Sequence, residues 1–382
     1  MPLTSYTAAE LFDALVQREN FILLDVRNTK DFNRFKVEGP HPVEMLNIVY
    51  YDFQELEDEC VPLVPTGRKI RIVCAKESSA KYVADVLARC GYDNVSYLEG
   101  GIPSWGNLLV PVQVGSGPGY TLHQFRRPGK ASLSYALVSG REMYVFDPAK
   151  NIAAYSRFAE ECGCRITRTF ETHRQADYIS GSDALRRQLG TEIVAPRPDF
   201  DVARFPYTPV ADGDTFSFTA GGPEVCAIHT PGHTPGSTSY LVDNRYLIAG
   251  DAVFIRSIGR PDLGGQAEAW SRLLFNTMTD KILTWDRSLI VLPGHYMDWR
   301  EADENLAFTA SLEEVIEHNR DIYSVRDEAA FIAFIKKNMR PQPDVYAKIR
   351  EINAGLLTVD DDEANVMDLG KNECAASAAN AA

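Results

Sequence analysis

The apolar positions of this chain change their period along its length. Phe21-Ile22-Leu23-Leu24-Asp25-Val26 and Ile70-Arg71-Ile72-Val73 are short, nearly continuous apolar runs, the mark of buried strands. From Ala80 to Ala88 the apolar residues Ala80, Val83, Ala84, Leu87 and Ala88 fall at helical spacing, with Ser78 and Ser79 ahead of them as N-cap candidates. After Trp105 the pattern dissolves into Val112 to Gly119, a Gly/Pro stretch that reads as a linker. From Tyr120 onward short apolar strands alternate with turns, among them Met143 to Phe146, Ile166 to Phe170, Glu224 to Ile228 and Tyr246 to Ala249. The chain then becomes helical, with Leu312, Val315 and Ile316 and then Ala330, Phe331, Phe334 and Ile335 at helical offsets. It ends in an acidic stretch from Asp360 to Glu363 and a low-complexity run, Ala375 to Ala382, whose last residues are expected to be mobile.

This pattern predicts an α/β protein of two parts: an N-terminal α/β domain over 1–108 and a linker over 109–118, then an αβ/βα sandwich over 119–345 with a helical C-terminal segment, and a tail over 346–382. At 382 residues and 45% hydrophobic the chain is long enough for two cores. A formal net charge of −14 excludes general affinity for nucleic acid or for an anionic membrane surface, since both would repel it. The seven cysteines form neither a disulfide framework nor a four-cysteine zinc site, and Cys162-Gly163-Cys164 is their only close pair. With no signal-peptide start and no apolar run near the roughly 20 residues that span a bilayer, the expected compartment is the reducing cytoplasm.

Cys74-Ala75-Lys76-Glu77-Ser78-Ser79 lies between a strand and a helix, so Cys74 is expected beneath a helix N-terminus. Free N–H groups and the helix dipole favour a thiolate there, with Lys76 adding positive charge or holding substrate. With Leu24-Asp25-Val26-Arg27 upstream and Leu98-Glu99-Gly100-Gly101-Ile102-Pro103-Ser104-Trp105 downstream, the segment resembles the rhodanese-like family. That resemblance implies a sulfur-accepting role for Cys74, although Glu77 and Ser79 stand where many members carry Gly and Arg. The competing reading is a small buried cysteine.

The second part carries Glu171-Thr172-His173-Arg174-Gln175-Ala176-Asp177-Tyr178, Thr230-Pro231-Gly232-His233, Ala249-Gly250-Asp251-Ala252 and Leu292-Pro293-Gly294-His295. In order and content these resemble the metallo-β-lactamase superfamily, whose first loop runs His-X-His-X-Asp-His and helps hold two metal ions. Gln175 and Tyr178 replace two of those histidines. His173, His233 and Asp251 survive, a set of two imidazoles and one carboxylate of the kind mononuclear non-haem Fe(II) favours. The run from Ala252 to Leu263 resembles the persulfide dioxygenase branch. The resemblance implies one Fe(II) per chain on those three residues, zinc being less suited, and oxidation of a thiol persulfide by O2 to sulfite. Thiosulfate is a further product if sulfite meets sulfur on Cys74.

Asp177 is expected to hydrogen-bond near the metal and His295 to serve as a proton-transfer group. Arg256 and Arg260 are candidates for holding an anionic substrate, each competing with a structural ion pair to a residue such as Asp262. His229, His41, His123 and His318 read as structural or ordinary. Two alternatives stay open: a thioester hydrolase resembling glyoxalase II, and a sulfur carrier whose metal domain has decayed. A homodimer is an open assembly.

Overall fold

The computed structural model describes residues 3–262, 265–339 and 342–376. Met1 and Pro2, and of the segments quoted above Leu263 and the closing residues from Ser377, lie outside the described residues. The chain divides into two compact units. The first runs to Val110 and takes in Arg127–Lys130 and Asp368–Lys371, and the second holds the rest.

The first unit is built on a five-stranded parallel sheet in the order Thr4–Tyr6, Val95–Leu98, Ile70–Val73, Ile22–Asp25, Glu44–Asn47. The two apolar runs are its middle strands. They are buried along their whole length because helices cover a parallel sheet on its faces. The helix Glu77–Arg89 packs Ala80, Val83, Val86 and Leu87 against Ile22, Leu24, Ile70 and Ile72. It begins earlier than the periodicity predicts, and its cap is Lys76, with no side-chain capping bond, rather than Ser78 or Ser79. Those serines fall inside its first turn, so the turn starts as soon as the loop leaves Cys74. Within this unit Arg127 forms a buried ion pair with Asp368 at 2.6 Å and donates through Nε to the Gly106 carbonyl at 2.6 Å.

The second unit stacks a seven-stranded sheet on a six-stranded one. Leu133, Phe146, Phe170 and Val194 from one meet Val225, Tyr240, Ile248 and Leu292 from the other in a single core. On the far face of the second sheet, Leu247, Ala249 and Val291 pack against Leu274, Met278, Leu312, Val315, Phe331 and Ile335 from the helices Ala267–Asn276, Leu312–His318 and Glu328–Asn338 and the turn between them. This is the expected αβ/βα sandwich with its helical C-terminal segment.

Two segments correct the sequence reading. The linker over 109–118 is largely a strand, Val110–Gly117, at the edge of the seven-stranded sheet. Val110, Val112 and Val114 are half-buried and alternate with exposed Pro111 and Gln113, a period of two that the Pro and Gly residues mask. An edge position is where a strand tolerates proline. The tail over 346–382 is not a loose appendage. It contains the helices Val345–Asn353 and Asp361–Met367, and Ala375 pairs antiparallel with Gly259. Among the described residues no helix is long and apolar enough to cross a membrane.

Candidate metal centre

His173, Asp251 and His295 each follow the end of a strand, Arg165–Phe170, Tyr246–Gly250 and Ile290–Pro293 respectively. His233 lies in the loop between the strands Val225–His229 and Thr238–Val242. Rigid strands thus deliver all four to one rim of the sandwich, the usual placing of functional groups on loops held by a scaffold. Gly294 is needed for the approach, because a Cβ there would meet Asp251 Oδ1 at 2.5 Å.

The ring nitrogens are set by their outer partners. His173 Nδ1 lies 2.9 Å from Thr172 Oγ1, and that hydroxyl donates to Asp147 Oδ2 at 2.8 Å. Since the hydroxyl proton goes to Asp147, Nδ1–H is the donor to Thr172. His233 Nδ1 donates to the Arg260 carbonyl at 2.8 Å. Both imidazoles therefore present a bare Nε2 lone pair inward. These two Nε2 atoms and Asp251 Oδ2 are buried and have no hydrogen-bond partner among the described residues.

His233 Nε2 lies 3.4 Å and His173 Nε2 3.8 Å from Asp251 Oδ2. A metal roughly 2.0–2.2 Å from each of three donors sets them about 3–3.5 Å apart, so the pocket is close to a metal's size. Three unsatisfied buried atoms aimed at one point are what a metal site leaves when the ion is set aside, since burial without a partner is costly. His173, His233 and Asp251 fit a metal ion.

Electrostatics agree. Burial lowers His173 to about 3, against the pull of Asp251, so its lone pair is free at neutral pH. Burial acts to raise Asp251, but His295, His233 and His173 outweigh it and hold the carboxyl below its usual range.

His295 is clamped. Its Nδ1 bonds Asp251 Oδ1 at 2.8 Å and its Nε2 bonds Asp177 Oδ2 at 2.9 Å. Burial disfavours its charge, yet the two carboxylates prevail and raise it to about 10. His295 is thus held between the two carboxylates, where it fixes the orientation of Asp251. Asp177 positions His295 in turn. Tyr178 is buried with its hydroxyl on the Asp147 carbonyl at 3.2 Å, and Gln175 Nε2 lies 3.5 Å from His173 Nδ1 on the outer side.

Sequence reasoning overlooked Cys374. It is buried, and its sulfur lies with Asp177 and His295 in a group whose candidate ligand atoms are within 4.8 Å of one another. Its carbonyl accepts from Arg260 N at 2.8 Å. Nothing in its spacing marked it, for it stands alone just ahead of the low-complexity run. The substrate role expected of Arg260 is corrected. Its guanidinium is buried and paired with Asp262, Nε to Oδ1 and Nη2 to Oδ2, both at 2.6 Å. Arg256 is exposed, its charge acts on the buried Glu301, and it is not among the residues lining the cavity beside His233. His229 is structural as expected, with Nε2 on the Pro235 carbonyl at 3.0 Å.

In the first unit Cys74 is buried where the strand Ile70–Val73 ends. Burial pushes its thiol up, against hydrogen bonds from Lys76 and Ala75 N–H and the Ser79 hydroxyl. The expected thiolate is overruled by desolvation, and Lys76 is exposed. Gly101, at φ +60°, lets the Gly-Gly turn press on the loop, since a Cβ there would meet the Cys74 carbonyl at 2.8 Å. Gly100 N donates to Glu77 Oε2 at 2.7 Å, so a carboxylate occupies the rim of this loop.

The two-sheet frame with its rim of His and Asp defines a metallo-β-lactamase-fold metal domain. Residues 133–295 match the metallo-beta-lactamase superfamily, and residues 8–108 match the rhodanese-like domain. The chain is 31% identical over 186 residues to persulfide dioxygenase ETHE1, mitochondrial, of Bos taurus, covering 47% of this chain and 70% of that protein. A hydroxyacylglutathione hydrolase of Anaeromyxobacter dehalogenans is 33% identical over 189 residues, covering 49% of this chain and 69% of that one. In three dimensions, a metallo-beta-lactamase from Staphylococcus aureus superposes with a TM-score of 0.55 at 26% identity, over 63% of this chain and 74% of that one. ETHE1 from Myxococcus xanthus superposes with a TM-score of 0.52 at 23% identity, over 65% of this chain and all of that one, a likeness of fold. The chain belongs to the persulfide dioxygenase branch of the metallo-β-lactamase superfamily, with a rhodanese-like domain fused to its N-terminal side.

Proposed function

We propose that the second unit is an Fe(II)-dependent persulfide dioxygenase, with the ion held by His173, His233 and Asp251. The observation that carries this reading is the convergence of three unpartnered buried donors from two imidazoles and one carboxylate. Iron there would supply the redox chemistry that a thiol-borne sulfur needs to react with O2. In the overall reaction one persulfide, one O2 and one water give one thiol, one sulfite and two protons. The S–S bond breaks, the outer sulfur is oxidised and O2 is reduced. The chain's own part is to fix the ligands: Thr172 and the Arg260 carbonyl hold the two imidazoles, and His295 holds Asp251. Cys74 carries sulfane sulfur as a persulfide, slowly because its thiol is buried, and passes it to sulfite to give thiosulfate.

The hydrolase reading draws on the similarity to the hydroxyacylglutathione hydrolase. It asks for a hydroxide made on a site that usually holds two metals. His295 uses both nitrogens on carboxylates and residue 178 offers no imidazole, which favours the mononuclear reading. The deciding experiment is metal analysis of freshly purified protein joined to an O2-electrode assay with glutathione persulfide. About one iron per chain is expected, with O2 uptake lost in His173→Ala. Full O2 consumption by His173→Ala, or thioester cleavage without O2, sinks the proposal.

A further inference from the structure

Beside His233 lies a cavity of about 290 Å³ whose walls include Arg174, Ala176, Asp199, Trp270 and Arg350. Arg174 comes from the ligand loop directly after His173, and Arg350 from the helix Val345–Asn353, in the segment read from sequence as a tail. Two arginines in the wall of one small cavity make it attractive to an anion. Asp199, the acidic side chain in the wall, turns its oxygens to the protein. Oδ1 accepts from Gly236 N at 2.8 Å, and Oδ2 accepts from Thr234 Oγ1 at 2.6 Å and Arg174 N at 3.1 Å. Arg174 Nε is buried and has no hydrogen-bond partner among the described residues. The guanidiniums feel one another: burial and then the charge of Arg174 both lower Arg350, with Asp199 opposing.

We infer that this cavity is the subsite for a carboxylate of the thiol that carries the sulfur, held by the forks of Arg174 and Arg350 while the sulfur end reaches the His233 side of the metal centre. A guanidinium fork matches the planar carboxylate in two parallel hydrogen bonds. Trp270, Ala176, Pro198 and Pro235 give the apolar wall for the thiol's carbon skeleton. The volume lies at the low end of ligand pockets, about 300–1,000 Å³, so the site suits a small acidic thiol over one bearing a nucleotide. This rests on the dioxygenase reading only for the identity of the reacting end.

The test compares Arg350→Met and Arg174→Met with the parent full-length protein. The first readout is O2 uptake with the persulfides of glutathione, coenzyme A and the uncharged 2-mercaptoethanol. The second is calorimetric binding of S-methylglutathione, which has no reactive sulfur. Loss of a charge-assisted pair predicts a rise of roughly 10- to 100-fold in KM for glutathione persulfide and in Kd for S-methylglutathione. The rise with 2-mercaptoethanol persulfide is expected to be at least tenfold smaller, and Arg350→Lys to recover part of the loss. If no persulfide supports O2 uptake in the parent, the dioxygenase reading fails while the calorimetry still decides the subsite. Unchanged S-methylglutathione binding in both variants, equal losses for acidic and uncharged persulfides, or a preference of the parent for coenzyme A persulfide overturns it.

Discussion

His295 donates to the outer oxygen of Asp251 at 2.8 Å, leaving the inner oxygen to face His173 and His233. One carboxylate is thereby divided between a positioning contact and the face offered to the proposed metal. His295→Gln removes the bridge to Asp177 while keeping a polar side chain. Loss of such an outer partner is expected to weaken metal binding ~10- to 100-fold, read by competition with a chelator, with the far-ultraviolet spectrum of the fold unchanged. Unaltered metal affinity would falsify the positioning role.

Thr172 does for His173 what the Arg260 carbonyl does for His233. Thr172→Val keeps the shape and removes the hydroxyl that links His173 Nδ1 to Asp147 Oδ2. A stability loss of about 1–3 kcal/mol is expected from the buried groups left unpaired. Metal affinity should fall about tenfold as well, since the imidazole loses its fixed tautomer. Chelator titration and thermal melting of the metal-free protein separate the two effects.

The Cys74 thiol is raised by burial, so its reactivity should be low at neutral pH. Alkylation by iodoacetamide, followed by mass spectrometry of the Cys74 peptide, is expected to be slower than that of a free thiol at pH 7.5. The rate should still climb past pH 9. Ser79→Ala removes a hydrogen bond that favours the thiolate and should slow it further. A plateau below pH 8 contradicts this.

Glu301 gives a pH-dependent stability term. Burial raises it from its ordinary 4.5 to about 7, against hydrogen bonds from Met297 and Asp298 N–H and the charge of Arg256. The folded protein holds this proton more tightly than the unfolded chain. The associated stability is thus complete below pH 4.5 and is lost as pH rises through about 7. At about 1.4 kcal/mol per pH unit the span corresponds to roughly 3 kcal/mol. Glu301→Gln should melt higher than the parent at pH 8 and converge with it near pH 5. A constant gap across that range argues against the shift.

Much of the fold was legible because its strands are fully buried and therefore apolar throughout: Ile70–Val73 coincides with its run, and Tyr246–Gly250 differs by one residue. The edge strand Val110–Gly117 was not, since three of its eight positions, Pro111, Gln113 and Ser116, face solvent. The candidate metal ligands were legible as a cluster because short motifs fix them locally. The Cys374 segment was not, since its place is set by a contact between Gly259 and Ala375, far apart in sequence, whereas for Arg260 the competing ion pair with nearby Asp262 is the one that forms. The helix terminus at Cys74 was read correctly as geometry and wrongly as energy. Burial, which a local sequence window does not report, outweighs the N–H groups.

The pairing of Arg127 with Asp368 and Gly106 sets a limit on how this protein can be taken apart. The rhodanese-like unit draws its parts from the beginning, the middle and near the end of the chain, so a gene fragment stopping at residue 110 would encode it without its arginine and aspartate. Gly106 would lose the partner of its carbonyl. Biochemists testing the two proposed activities separately are better served by replacing Cys74 or His173 with Ala in the intact polypeptide than by cutting between the halves.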